Sequence, residues 1–230
     1  MVAVILAGGQ GIRLRPHTDE FPKPLLPIGQ KPIIDILLTQ MKKTGVSRVI
    51  LAVNHMSERI VDAVGDGSRY GLKIEYSHET KALSTVAPLK LIKDLPDNFI
   101  VANSDILTDL DFKGLFSSHI NGNAQLTVAT HARANPIDFG VLTVDDNGMV
   151  IGFEEKPVLN IIVSMGMYVF SQAVLKLVPE NKPFGFDQLM FTMLDRKMPI
   201  HTFPYSGYWL DIGRPEDYQK ANEDIERLWE

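Results

Sequence analysis

Residues 2–27 read VAVILAGGQGIRLRPHTDEFPKPLLP, and the order of residue types in this stretch decides the fold. Val2 to Leu6 is a short apolar run, largely β-branched, that stops at Ala7-Gly8-Gly9, so it reads as a buried strand emptying into a glycine-rich loop. Glycines at 8, 9 and 11 carry no β-carbon, which lets backbone N–H groups come close to a phosphate. Arg13, Arg15 and Lys23 follow within the loop's reach, against two acids, Asp19 and Glu20. A planar guanidinium fork and an ammonium point charge both suit phosphate oxygens. Prolines 16, 22, 24 and 27 oppose a sustained helix, so the stretch is expected to wrap as an ordered loop around an anion.

Outward from the loop, the pattern alternates. Pro32 to Lys43 has apolar residues at helical spacing and stops before Gly45; Arg48 to Asn54 reads as a buried strand; Ser57 is expected to cap a helix through Val64; Leu72 to Ser77 is a further strand. Strands and helices alternating at this spacing build doubly wound parallel sheets, in which ligands sit beyond the carboxyl ends of the strands. Glu79 to Leu95, taken by its residues alone, reads as an amphipathic helix capped by Ser84 or Thr85. Phe99 to Ala102 is a strand with Asp105 just past its end, where a carboxylate can cap a helix or hold a cation. Asp109 and Asp111 read as solvent or capping acids ahead of a helix from Phe112 to His119. Gln125 to Thr130 and Ile162 to Phe170 read as strands. Between them, Phe139 to Leu142 and Val150 to Phe153 form a hairpin turned by Asp145-Asp146-Asn147-Gly148. Phe186 to Arg196 and Pro215 to Leu228 read as helices.

At 230 residues and 45% hydrophobic content the chain can bury a substantial core, and one compact α/β domain covering residues 1–230 is expected, with no internal boundary. The absence of cysteine excludes disulfides and thiolate metal sites and fits a reducing cytoplasm. A net charge of −5 without a basic block argues against a nucleic-acid partner. The first apolar run is far too short for a signal sequence or a membrane span, so a soluble, cytoplasmic protein without membrane association is expected. The six histidines show no paired metal spacing, and His17 is the one expected near the loop.

Two common phosphate motifs fail against the loop. G-x-G-x-x-G starting at Gly9 meets Leu14 at its third glycine, and G-x-x-x-x-G-K-[ST] has no match. What Gly8 to Thr18 and Pro22-Lys23-Pro24 do resemble is the signature of the sugar-phosphate nucleotidylyltransferases, G-G-x-G-T-R-L-x-P-x-T followed by P-K-P, with Ile12 in place of Thr. Later places in the chain agree in order. Leu83 to Leu89 stands at the family's L-G-T-A-G-P-L, with Ser84, Val86 and Ala87 replacing Gly, Ala and Gly. Asn103-Ser104-Asp105 stands at N-G-D. Phe139-Gly140-Val141 and Glu155-Lys156-Pro157 match F-G-V and E-K-P, and Ser164-Met165-Gly166-Met167-Tyr168 stands at N-A-G-x-Y. Gly207 to Tyr218, GYWLDIGRPEDY, matches the second metal motif.

The resemblance implies a single-domain Rossmann-like α/β fold, three layers around a mixed, mainly parallel sheet, without the C-terminal β-helix of longer relatives. It implies nucleotide contacts from Leu6, Ala7, Gly8, Gly9, Gly11, Arg13, Ser84 and Thr85, and sugar-phosphate contacts from Gly140, Glu155, Lys156 and Ser164. Asp105 and Asp211 would hold a catalytic Mg²⁺, with Arg13 and Lys23 completing the catalytic set. The reaction implied is attack of a sugar 1-phosphate on the α-phosphorus of an NTP, and the chain looks most like short mannose-1-phosphate or heptose-1-phosphate guanylyltransferases. Partners are then an NTP and a sugar 1-phosphate, with a homodimer as the candidate assembly. The competing reading, carried by the departures at Ile12, Ser84, Val86, Ala87, Ser104, Ser164 and Met165, is a relative that binds nucleotide without turnover. Met165 and Ser164 are expected to reshape the sugar pocket.

Overall fold

The opening apolar run folds as strand β1 (Val2–Ala7), buried on both faces: Ala3, Ile5 and Ala7 enter one core cluster and Val4 another. A strand apolar on both sides belongs in the middle of a covered sheet. The computed structural model describes residues 1–228. After β1 come the single-turn helix α1 (His17–Glu20), β2 (Pro27–Ile28), β3 (Lys31–Pro32), α2 (Ile33–Lys43), β4 (Arg48–Val53), α3 (Ser57–Val64) and β5 (Lys73–His78). Then follow β6 (Asn98–Asn103), β7 (Ile106–Thr108), α4 (Phe112–Asn121), β8 (Leu126–Pro136), β9 (Val141–Val144), β10 (Val150–Glu154) and β11 (Val158–Ser171). Helix α5 (Phe186–Asp195), β12 (Ile200–Pro204), β13 (Trp209–Asp211) and α6 (Pro215–Leu228) complete the order.

Seven strands form the main sheet in the order β12-β8-β11-β6-β1-β4-β5. β11 alone runs against its neighbours, so the sheet is mixed and mainly parallel, as expected. Helices α2, α3 and α4 pack on one face through Leu37, Met41, Ile60 and Phe112, while α5 covers the other through Leu189 and Met193. A third cluster joins Leu14, Leu26 and Ile33 to Leu107, Ile212 and Ala221, fastening the glycine-rich loop to the C-terminal segment. Among the described residues no helix is long and apolar enough to cross a membrane.

Two local expectations are corrected, and one strand is new. Residues 79–95 are not a helix: the chain runs irregularly to Val86 and makes only a 3₁₀ turn over Ala87–Leu91. Ser84 takes φ +69, and Pro88 lacks the N–H that a continuous helix needs there. Thr85 does cap a helix, but a distant one, its Oγ1 accepting the Phe186 N–H at the start of α5 at 2.9 Å. Ser57 is not the cap of α3. Met56 occupies that position in a left-handed turn with no side-chain hydrogen bond, and Ser57 is the first helical residue. β12, unanticipated because its Ile-His-Thr-Phe-Pro pattern is short and exposed, extends the sheet as a parallel edge.

Beyond Thr130 and Ser164, β8 and β11 pair only with each other, so the ribbon leaves the sheet. With the hairpin β9–β10 it forms an arm, joined at its base by the Ile137 N–H to Pro157 O bond of 2.9 Å.

Candidate active site

The carboxyl ends of β1, β4 and β6 open onto a cavity of about 580 Å³. Leu6, Gly8, Gly9, Gly11, Arg13, Lys23, Ser84, Thr85 and Asp105 all line it. Ala7 does not, since its side chain is buried in the core. The loop's shape follows from its residues. Gly11 has φ +63, and a β-carbon there would meet Thr18 Cγ2 at 2.8 Å. Thr18 in turn donates from Oγ1 to the Gly11 carbonyl at 2.8 Å, so the threonine of the motif latches the loop. A β-carbon on Gly8 would meet Glu79 Oε1 at 2.9 Å, whereas Gly9 has no neighbour within 4 Å of that position. Arg15 points away and pairs with Asp19 at 3.1 Å on the surface, leaving Arg13 and Lys23 as the loop's inward cations.

Asp105 lies in the turn between β6 and β7 and Asp211 ends β13. The two strands pair antiparallel with Asp211 opposite Ile106, and the Ile212 N–H reaches the Asp105 carbonyl at 2.9 Å. Thr108 Oγ1 donates to Tyr208 O at 2.8 Å and accepts from the Leu110 N–H at 3.2 Å, holding the same pairing. The Lys23 ammonium donates to Asp105 Oδ2. The other oxygen, Asp105 Oδ1, is buried without a hydrogen-bond partner among the described residues. Burial pushes the Asp211 carboxyl above its ordinary range and the nearby Asp105 pushes it further, while Lys23 and Arg13 pull it down. Both Asp211 Oδ1 and the Arg13 guanidinium approach Gly213, at 3.5 and 3.6 Å from where a β-carbon would stand.

An orphaned buried carboxylate oxygen beside a second, solvent-exposed carboxylate fits a hard divalent cation. Among the described residues no group of three or more His, Cys, Asp or Glu could hold a metal.

Gly140, Glu155 and Lys156 lie on the arm and Ser164 at its root, and none of the four lines the 580 Å³ cavity. Gly140 and Glu155 are neighbours, with Glu155 Oε2 3.3 Å from a β-carbon built on Gly140. Lys156 adopts φ +45 at the end of β10. Ser164 Oγ donates to Tyr168 Oη at 3.2 Å and accepts the Gly166 N–H at 3.3 Å. Burial raises the Tyr168 pKa, the hydrogen bond with Ser164 opposes that, and the charges of Asp211 and Asp105 add to the rise.

Three departures from the motif are not among the cavity's lining residues: Val86, Ala87 and Met165 are buried in the core, and the Met165 carbonyl accepts the Trp209 Nε1–H at 3.0 Å. Ile12 and Ser104 do line the cavity. So does His55, while the His17 ring lies tilted against Tyr218 with centroids 5.2 Å apart and is not among the lining residues. Asn54, Glu79 and Asn103 were also missed. Asn54 and Asn103 stand at the carboxyl ends of β4 and β6, a position that marks ligand contact in such sheets. The Glu79 carboxyl is raised by burial despite accepting the Leu83 N–H at 3.2 Å.

A family model described as nucleotidyl transferase matches residues 2–227. The chain is 34% identical over 223 residues to the mannose-1-phosphate guanylyltransferase catalytic subunit beta of Drosophila pseudoobscura pseudoobscura, covering 94% of this chain and 60% of that protein. It is 33% identical over 241 residues to the UTP–glucose-1-phosphate uridylyltransferase of Synechocystis, covering 96% and 62%. The chain thus spans about three fifths of the length of these curated relatives. Among solved structures, HddC from Yersinia pseudotuberculosis superposes with a TM-score of 0.76 at 28% identity, over 97% of this chain and 99% of that one. The same protein complexed with GMP-PN superposes with a TM-score of 0.75.

Proposed function

The chain belongs to the nucleotidyl transferase family, and from that premise we propose that it transfers a nucleoside monophosphate from an NTP to a sugar 1-phosphate. The observation that carries this reading is the β7–β13 pairing, which brings Asp211, itself outside the cavity lining, beside Asp105, Lys23 and Arg13 at the edge of a glycine-lined cavity. An oxygen of the sugar 1-phosphate attacks the α-phosphorus in line. A new oxygen–phosphorus bond forms, the bond from the α-phosphorus to the bridging oxygen breaks, and pyrophosphate leaves with the electron pair. No protein nucleophile is needed, so the chain's work is positioning and charge stabilisation.

Asp105 and Asp211 would hold Mg²⁺, and the ion when bound supplies Lewis-acid stabilisation of charge on the phosphoryl oxygens. Backbone N–H groups from Gly8 to Gly11 cradle the triphosphate, and Arg13 meets charge developing on the departing pyrophosphate. Lys23 neutralises the α-phosphate. Leu6, Ser84 and Thr85 bound the nucleoside side of the cavity, while Gly140, Glu155 and Lys156 on the arm and Ser164 at its root receive the sugar phosphate. GTP is the favoured donor and a mannose- or heptose-type 1-phosphate the favoured acceptor. The support for GTP is the guanylyltransferase relative and the GMP-PN complex of the HddC neighbour.

Pyrophosphate release with Mg²⁺ tests the reading, using GTP, CTP, UTP, dTTP and ATP against hexose and heptose 1-phosphates. The expected result is release that requires GTP and one mannose- or heptose-type acceptor together. Release with UTP and glucose 1-phosphate instead would reassign both substrates. NTP binding with no release from any pair would overturn the transferase in favour of a binding protein.

A further inference from the structure

The fold brings Lys23 and Asp105 together from 82 positions apart, and the ammonium donates to Asp105 Oδ2. Both side chains are largely enclosed, with 11% of Lys23 and 18% of Asp105 exposed. Each is also held from its own side. Lys23 follows Pro22 and opens a 3₁₀ turn that closes with the Leu26 N–H on its carbonyl at 3.1 Å, and its Cβ lies 3.4 Å from where a β-carbon on Gly11 would stand. Asp105 is fixed by the Ile212 N–H on its carbonyl. An ion pair this enclosed is screened little by salt. Separating it without a new partner for each charge is costly, because a buried charge is left unpaired.

The same carboxylate is the one proposed above to hold a divalent cation, and its two oxygens differ. Oδ1 is buried without a partner among the described residues, while Oδ2 belongs to Lys23. Asp211 offers the second carboxylate, and Lys23 and Arg13 act on that one too. Two cations thus already face the two acids, so a metal ion arriving alone finds their charge largely answered. It must also dislodge an ammonium that has no other anion to join. An NTP removes both obstacles. Its phosphates bring negative charge into the cavity that Lys23 itself lines, and their oxygens give the ammonium a second anionic partner.

We infer that Lys23 is a latch on Asp105: it keeps the nucleotide-free protein from taking up a divalent cation, and the phosphates of an arriving NTP draw the ammonium off and open the carboxylate. The inference rests on the metal role proposed above for Asp105 and Asp211. It makes metal uptake conditional on nucleotide.

Manganese binding tests it without turnover, with the bound ion read from water-proton relaxation and from the loss of the free-ion paramagnetic resonance signal. Without nucleotide, Lys23→Met is expected to bind Mn²⁺ about 10-fold or more tightly than the wild-type protein. Arg13→Met removes the same unit of charge but leaves Asp105 Oδ2 occupied, and should gain far less. In the double variant Lys23→Met/Asp105→Asn the gain should vanish. The wild-type protein should take up Mn²⁺ once a non-hydrolysable GTP analogue is added, seen as relaxation above that of the Mn²⁺–analogue complex alone. Equal gains in Lys23→Met and Arg13→Met overturn the latch in favour of net charge. Wild-type protein that takes up Mn²⁺ equally well with and without the analogue overturns it whatever the variants do, and leaves the metal site standing if Asp105→Asn abolishes that uptake. No uptake by any protein, with or without the analogue, removes the metal role of Asp105 and Asp211 and the latch with it.

Discussion

At the scale of single residues, the site depends on side chains held where an isolated residue would not choose to be. Asp105 has one oxygen on Lys23 and one buried without a partner among the described residues, and the carboxyl of the exposed Asp211 is raised above its ordinary range by its surroundings, Asp105 included. If both act as preorganised charge, Asp105→Ala and Asp211→Ala should each lower turnover at least ~100-fold while the melting transition persists, a loss read from pyrophosphate release beside thermal unfolding. Comparable turnover in either variant would remove that carboxylate from the mechanism. Ser84 is the second strained residue. Its left-handed φ costs a serine roughly 1 kcal/mol relative to glycine, so Ser84→Gly should raise unfolding free energy by about that amount and tighten NTP binding, whereas Ser84→Val should do the reverse. His119 sits at the opposite end of the sheet, nearly inaccessible, with Nδ1 2.9 Å from Thr127 Oγ1 and Nε2 3.0 Å from Asn98 Oδ1. Burial lowers its pKa and His201 lowers it further. A histidine lowered in the folded state binds fewer protons than in the unfolded chain, so its stability contribution is full above its ordinary value of 6.5 and declines as pH falls through it. His119→Ala should cost about 2 kcal/mol at neutral pH and flatten the fall in urea midpoint on acidification. An unchanged slope would show that other groups carry it.

At the scale of elements, the β7–β13 pair positions both carboxylates. Thr108→Val leaves the Leu110 N–H without its acceptor and breaks the bond to Tyr208 O, at a cost of roughly 1–3 kcal/mol. Because Asp211 moves with β13, the variant should lose turnover more than NTP affinity. Equal losses in both would place the damage in the cavity instead. The order of strands and helices was largely readable from the sequence, since β1, β4 and β6 are continuous apolar runs and α2 is strongly amphipathic. Residues 79–95 were misread because helical periodicity and two capping residues are local signals. What overrode them was Thr85 capping α5, a contact made across the fold. The two-residue and three-residue strands escaped for a related reason: Ile106–Thr108 acquires its role only when Trp209–Asp211 lies against it.

At the scale of the molecule, a buried sheet core and a bare arm should differ in local stability. Amide hydrogen exchange is expected to be slowest in β1, β4 and β6, which are paired on both sides, and fastest in β9 and β10. Uniform protection along the chain would contradict that gradient. The candidate site was legible to unequal degrees. Charged residues that act through their own atoms, such as Arg13, Lys23, Asp105 and Asp211, stand within recognisable spacing. Residues such as Asn54, His55 and Glu79 enter the cavity only because parallel strands end side by side, and no local pattern marks them. The β7–β13 pairing has a temporal consequence as well. Asp105 leaves the ribosome roughly a hundred residues before Asp211, and a contact of such sequence separation closes late. A half-made chain would hold the glycine loop, Lys23 and Asp105 but lack both β11, which pairs with β6, and Trp209–Asp211, which pairs with β7, so the two carboxylates meet only as the last strand docks.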